Sequence, residues 1–338
     1  MKGLKELFVH VGLLVVAGGL ALAVSTTAAS HSERGKELRV EVWPGKPSQL
    51  ERIEWDGKSQ VSLEAHRDKI GTWYVGKLTK RVQVLKPGPE EQESKKPEAP
   101  KEETKSFVSV SAAKPLVEAL APLRAYRALG KLDEGRKEEF GFKEPEGTLH
   151  VTVGGRQHSL LVGGATPGGG DRYAEDLGSN TLYAISGDVI KNLTFADTRL
   201  FERELHDFDL DDINGLTVSH GGAKRVLTRI AGKSDSWGST NDAPDETASN
   251  WVGLLNRLKP SEYLDKPPAT LGPESVVVRV DYFSGRRPRG FLELSAVPGK
   301  EEGSQDYLVR TEYTRWYAKV LKSTGEQVAG DVASVVQP

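Results

Sequence analysis

The chain has 338 residues, of which 37% are hydrophobic and 28% charged, which gives room for about two domains with real cores. Lys plus Arg number 46 against 48 Asp plus Glu, a net charge of −2, so the basic excess of a phosphate-binding chain is missing and no nucleic-acid partner is expected. Cysteine is absent, which removes disulfides, zinc thiolates, iron–sulfur clusters, cysteine nucleophiles and the lipid-bearing cysteine of a lipoprotein.

In chain order, Lys2 and Lys5 precede an apolar run from Leu7 to Val24 broken only by His10 and small residues. Roughly 17–25 apolar residues suffice to cross a bilayer. Positive charge before the run predicts an N-in orientation with everything beyond it translocated. The expectation is a membrane anchor at 1–35: a single-pass protein of the bacterial inner membrane with its bulk in the periplasm. The alternative is a signal peptide cleaved after the small residues Thr27-Ala28-Ala29, although the run is long for one. A buried soluble helix fits poorly, because the stretch has no polar face.

Next, "ELRVEVW" alternates as a strand, and residues 50–67 read as a hairpin turning at Asp56-Gly57. "GTWYVG" is a short aromatic strand. Residues 86–106 have no large aliphatic side chain and are rich in Pro, Glu and Lys, the composition of a solvated, extended insertion. A helix is predicted over 113–129, with Val117, Leu120, Leu123 and Leu129 on one stripe. A hairpin turning at Gly154-Gly155, a strand pair within 171–186 and a helix over 187–200 follow.

The second half repeats this order. Two strands surround Gly221-Gly222, Trp237 follows them as Trp73 followed the first pair, and a helix is predicted over 248–264. A hairpin within 274–295 and a strand pair within 306–320 close the series. Val252, Leu255, Leu258 and Leu264 repeat the first helical stripe at one constant offset. Tyr307 and Tyr317-Ala318 match Tyr173 and Tyr183-Ala184 at an offset one residue smaller. The expected fold is therefore α+β: a tandem repeat of two related modules, 36–205 and 206–338, behind an N-terminal transmembrane helix. Each module is a mainly antiparallel sheet with a covering helix, since a sheet with one apolar face needs a cover.

The order of Trp73-Tyr74, the Val117–Leu123 stripe, Gly141-Phe142 before Pro145, and the Tyr173 and Tyr183 strands resembles domain-of-unknown-function family 4340. The second copy carries Trp237, the Val252–Leu258 stripe and Leu271-Gly272-Pro273. The resemblance covers nearly the whole chain after residue 36, and the order of the motifs is its specific part. It implies an extracytoplasmic accessory protein associated with ABC-type transport systems, including those linked to gliding motility. It carries no catalytic residues. The 86–106 insertion and a Gly/Ser-rich entry to the second helix depart from strict equivalence of the halves.

Several stretches invite chemistry. "GGATPGGGDRY", Gly163 to Tyr173, lacks the Lys-Ser/Thr and following helix of a phosphate loop, which makes it an inter-strand loop. "HDFDLDDIN", His206 to Asn214, begins like a calcium loop at Asp207, Asp209 and Asp211. It then has Asp212 where Gly is needed and Val218 where Glu is needed, and so reads as a polar edge between modules. His150 and His158 flank one hairpin and are candidates to approach each other; no H-x-x-x-H pair and no G-x-S-x-G occurs. "SGRRPRG", Ser284 to Gly290, is a solvated basic turn, with an anionic headgroup or acidic partner as the alternative.

No catalytic, cofactor-binding or metal-ligating residue is assigned, and no cofactor is expected. The leading expectation is a non-enzymatic, membrane-anchored accessory protein whose partners are the cytoplasmic membrane and integral membrane subunits of an ABC-type system. The alternative is a periplasmic binding module that grips a glycan or peptide between the modules, with Trp43, Trp55 and Trp316 as candidate exposed aromatics.

Overall fold

The computed structural model describes residues 40–82, 101–232, 235–240 and 243–337. The expected anchor at 1–35 and most of the 86–106 insertion lie outside these residues. Among the described residues no helix is long and apolar enough to cross a membrane.

Two sheets, antiparallel in every strand pair described, make up the protein, which is α+β with few helices. The first contains β1 (Val40–Trp43), β2 (Leu50–Gly57), β3 (Ser59–Arg67), β4 (Thr72–Val82) and β5 (Lys101–Ser109). It continues with β6 (Leu123–Lys131), β7 (Gly147–Val153), β8 (Arg156–Ala165), β9 (Arg172–Asp176) and β10 (Thr181–Ile185). Their spatial order is β1-β6-β10-β9-β8-β7-β2-β3-β4-β5. Helices α1 (Lys114–Leu120), α2 (Gly187–Thr194) and α3 (Ala196–Arg199) accompany them.

The second sheet contains β11 (Gly215–His220), β12 (Ala223–Arg229), β13 (Trp237–Gly238) and β14 (Pro260–Tyr263). It is completed by β15 (Val276–Ser284), β16 (Arg287–Pro298), β17 (Gln305–Thr311) and β18 (Ala318–Val320), with helices α4 (Glu246–Leu255) and α5 (Lys322–Val336). Its order is β13-β12-β11-β15-β16-β17-β18-β14. Read from the other edge, β14-β18-β17-β16-β15-β11-β12-β13 follows β6-β10-β9-β8-β7-β2-β3-β4 strand for strand. The first sheet adds β1 and β5 at its two edges.

The turn chemistry explains the hairpins. Gly154 and Gly155 have φ of 56° and 74°, and Gly221 and Gly222 have 55° and 86°. Two successive left-handed residues make the tight turn whose twist suits antiparallel strands, and glycine adopts it without penalty.

Three expectations need correction. The helix predicted over 113–129 ends at Leu120, and Leu123 and Leu129 belong to β6. Pro122 has no N–H to continue the helix and disfavours helical backbone at Ala121. In the second half, α4 likewise stops at Leu255, and Pro260 opens β14.

The insertion predicted as solvated over 86–106 is strand from Lys101 onward, where β5 pairs with β4 from Val82↔Lys101 to Tyr74↔Ser109. Phe107 and Val108 bury its inner end, and the charged remainder suits a sheet edge.

The Tyr-Ala matches also fail as equivalences. Tyr183 pairs with Ala174, and the pair in the corresponding strands is Ala318 with Val309, each 135 positions later. The helical offset of 135 (Val117 to Val252) thus runs on unchanged, and the one-residue-smaller offset is a coincidence of composition.

One buried core runs through both sheets. In the first, the Trp43 indole N–H donates to the carbonyl of Leu120 at the end of α1, at 2.8 Å. In the second, the Trp251 indole on α4 donates to the carbonyl of Val328 on α5, at 3.0 Å. The helix α5 was not among the expected elements. It buries Val328, Val332, Val335 and Val336, a helical stripe written in β-branched residues of low helix propensity.

Candidate functional site

Two features stand out: a seam joining the sheets and a cleft on the first sheet. The seam is centred on Glu202, 1% exposed, in the connection between the halves. Its carboxylate accepts hydrogen bonds from the N–H groups of Val110, Ala112 and Glu204 at 3.0–3.1 Å. The Ser111 hydroxyl, at 3.0 and 3.1 Å from the two oxygens, completes the set. Four donors match the four lone-pair positions of a carboxylate, so the charge is solvated by protein dipoles.

The second sheet grips the same spot. Tyr263 donates its hydroxyl to the Glu202 carbonyl at 3.0 Å, and Ser111 N–H donates to the Tyr313 hydroxyl at 3.1 Å. Burial first, and then the Glu202 carboxylate, pushes the Tyr263 phenol well above its ordinary pKa, so it stays a donor. Phe201 bridges Phe107 and Tyr263, with ring centroids 6.4 Å and 5.0 Å away.

A second tie is the two-pronged pair of Arg315 with Asp68, at 2.9 and 3.1 Å. Its guanidinium, with help from the Ile70 and Gly71 amides and against partial desolvation, holds the Asp68 pKa at about 2, below 3.8. A depressed pKa in the folded state means that the pair's stabilisation is present above the unfolded value and is lost as pH falls through the folded one. The inter-sheet tie is therefore expected to weaken between about pH 4 and pH 2. Because Asp68 is 34% exposed, solvent screens the effect and keeps it modest. Acid titration of stability for the wild type and Arg315→Gln checks this: the variant should lose part of the slope in that window.

The cleft, about 610 Å³, lies on the first sheet. Its floor is β6 and β10, and one wall is residues 132–146, a lobe folded over the sheet. Phe140 and Phe142 anchor the lobe on Leu182, with Leu132, Leu161 and Tyr173 around them. Gly164 N–H donates to the Phe140 carbonyl at 2.8 Å, bringing two backbones together. A β-carbon at Gly141, where φ is 76°, would run into the Gly164 amide, and one at Gly163 into the Phe140 carbonyl. This close approach gives a reason for glycine in both Gly141-Phe142 and Gly163-Gly164. In the second sheet Leu294 pairs with Val309 as Val162 pairs with Ala174, yet Ser295 and Ala296 follow it in place of two glycines. The cleft thus belongs to a feature the two sheets do not share.

The other wall comes from the Gly-rich stretch, through Thr166, Pro167, Asp171 and Tyr173. It is an inter-strand loop between β8 and β9, as its sequence implied. Tyr173 meets Phe140 edge-on, with centroids 4.8 Å apart. Burial, opposed by a hydrogen bond with Ser186 and reinforced by Asp171, pushes the Tyr126 phenol upward. Arg136 is clamped to Glu139 at 2.8 and 3.0 Å and lies 4.8 Å from the Phe140 centroid. A smaller gap of about 450 Å³ separates the edges of β5 and β14, flanked by Phe107, Phe201 and Arg203.

The remaining candidates fall into structural roles. Asp209 caps a 3-10 turn by accepting from Asp211 N–H at 3.0 Å, and Asp211 pairs with Arg229 at 3.2 Å. In the same stretch His206 is buried, 3.2 Å from Glu312, and stacks on Phe208 with centroids 4.6 Å apart. The polar edge expected there is thus half aromatic core.

His150 and His158 do not approach each other, because their side chains sit on opposite faces of β7 and β8. His150 meets Ser159 at 2.7 Å, whereas His158 stacks on Trp43 at 4.8 Å, where burial lowers its pKa. Trp43 and Trp55 are 1% and 3% exposed and so closed, whereas Trp316 is half-buried against the core. In the basic turn, Arg286 and Arg287 are exposed, and Arg289 lies 5.4 Å from the Phe208 ring.

Two joined antiparallel sheets with a lobed cleft on one of them define an α+β protein built around a seam. Residues 108–275, just under half of the chain, match the family model described as Domain of unknown function (DUF4340). The match begins within β5 and takes in the seam residues up to Tyr263, the lobe and the Gly-rich loop. No curated protein and no solved structure matches the chain.

Proposed function

We propose that this is a non-enzymatic accessory protein of the bacterial cell envelope. Residues 1–35 anchor it in the inner membrane, and the periplasmic bulk docks on integral membrane subunits of an ABC-type system, of the kind linked to gliding motility. In this reading the halves, 36–205 and 206–338, are copies of one α+β module. The seam is the observation that carries it: buried hydrogen bonds around Glu202 join two sheets of like strand order into one body suited to presenting a surface. Crosslinking in intact membranes, followed by mass spectrometry of the captured proteins, tests it. Recovery of a transporter subunit is expected. Full function from a released, soluble body with no membrane partner captured would overturn it.

The cleft favours a second reading, a periplasmic module that binds a glycan or peptide. Its volume of about 610 Å³ lies within the range of ligand sites, and aromatic rings stand beside charged groups in its walls.

A further inference from the structure

We infer that the first-sheet cleft takes an acidic saccharide, the sugar ring lying along the aromatic wall and its carboxylate between Arg127 and Lys131. The inference rests on the binding-module reading. Three cations and three carboxylates line the cleft, so its summed charge is zero, but the charges are not equally available. Each carboxylate has a donor within the protein: Glu139 is bidentate on Arg136, Asp133 accepts from Gly135 N–H at 3.0 Å, and Asp171 from Gly187 N–H at 3.5 Å. Arg136 is occupied by Glu139. Arg127 and Lys131, exposed on β6, have no ion-pair partner among the described residues. Asp133 and Asp171 keep their charge, but Arg127 and Lys131 are the cations of the cleft that no carboxylate pairs with among the described residues, and both lie on β6.

Opposite this strand the half-buried Tyr173 ring, seated edge to face on the buried Phe140, borders the cleft, with the half-buried Tyr126 on the floor. The electron-rich face of such a ring suits the C–H face of a sugar, and the phenol supplies a polar end. An open, polar-lined cleft favours a hydroxyl-rich ligand over a purely apolar one. Guanidinium and ammonium groups together select a carboxylate over a hydroxymethyl group at the same ring position.

The experiment is calorimetric titration of the full-length protein with cellobiouronic acid and with cellobiose, which differ by a carboxylate against a hydroxymethyl group. Tighter binding of the acid is expected, by roughly tenfold, the scale of one charge-assisted hydrogen bond. The preference should vanish in Arg127→Gln/Lys131→Gln, whose exposed side chains leave the fold intact, and should shrink in about 0.5 M NaCl. Equal affinity for the two sugars would sink the acidic class while leaving the cleft a ligand site. Unchanged acid binding in the double variant would overturn the location, and binding of neither sugar would overturn both the inference and the binding-module reading.

Discussion

Glu202→Ala is expected to destabilise the protein by about 3–4 kcal/mol, since each unsatisfied buried donor costs about 1–3 kcal/mol and water entering the vacated space relieves part of the loss. The substitution leaves the N–H groups of Val110, Ala112 and Glu204 and the Ser111 hydroxyl without their acceptor. Three of them lie where the first sheet leads into α1 and the fourth, Glu204 N–H, in the connection between the halves, so the damage falls on the seam and spares the sheet interiors. Glu202→Gln keeps the volume but turns an NH2 toward N–H donors, so it should recover at most about half of the loss. Urea unfolding of the full chain measures the effect as a lower midpoint with an unchanged slope. A midpoint within error of wild type would mean that the buried carboxylate contributes nothing to holding the halves together.

Trp251→Ala should cost about 3–5 kcal/mol, the usual range for emptying a buried aromatic site. Trp251 is 1% exposed, and its indole N–H is bonded to the Val328 carbonyl, so the variant opens a cavity and also unties α4 from α5. The second sheet loses its cover locally, and α5, rich in β-branched residues, has little propensity to remain helical alone. Hydrogen exchange should show lost protection along Lys322–Val336 first. Trp251→Phe restores most of the packing without the hydrogen bond, so it should cost less, by about 1–2 kcal/mol overall. Uniform loss of protection across both sheets would contradict the local role assigned to this indole.

The strands were largely legible, because alternation and paired glycines are local signals. Gly154-Gly155 and Gly221-Gly222 announce their turns in two residues. The ends of the helices were not read correctly because the apolar stripe through Leu123 and Leu129 fits a helix as well as a strand. Pro122 decides between them, and its effect outweighs the periodicity. β5 was missed because charged residues at a sheet edge have the composition of a solvated linker; only pairing with β4 distinguishes the two. α5 escaped because Val at helical spacing also suits a strand.

At the site, the Gly-rich stretch drew notice for phosphate chemistry. Its first glycine, Gly163, serves instead to let the lobe approach β8. Glu202 gave no signal at all. One of the two Glu residues in "LFERELHD" becomes the buried centre of the seam only when residues 110–112, some ninety positions earlier, are folded against it.

Differential scanning calorimetry of the purified full chain tests most directly whether the seam makes the two sheets one body. A single transition, with equal calorimetric and van't Hoff enthalpies, is the predicted result. Two resolved transitions in the wild type, unaltered in Glu202→Ala, would contradict it.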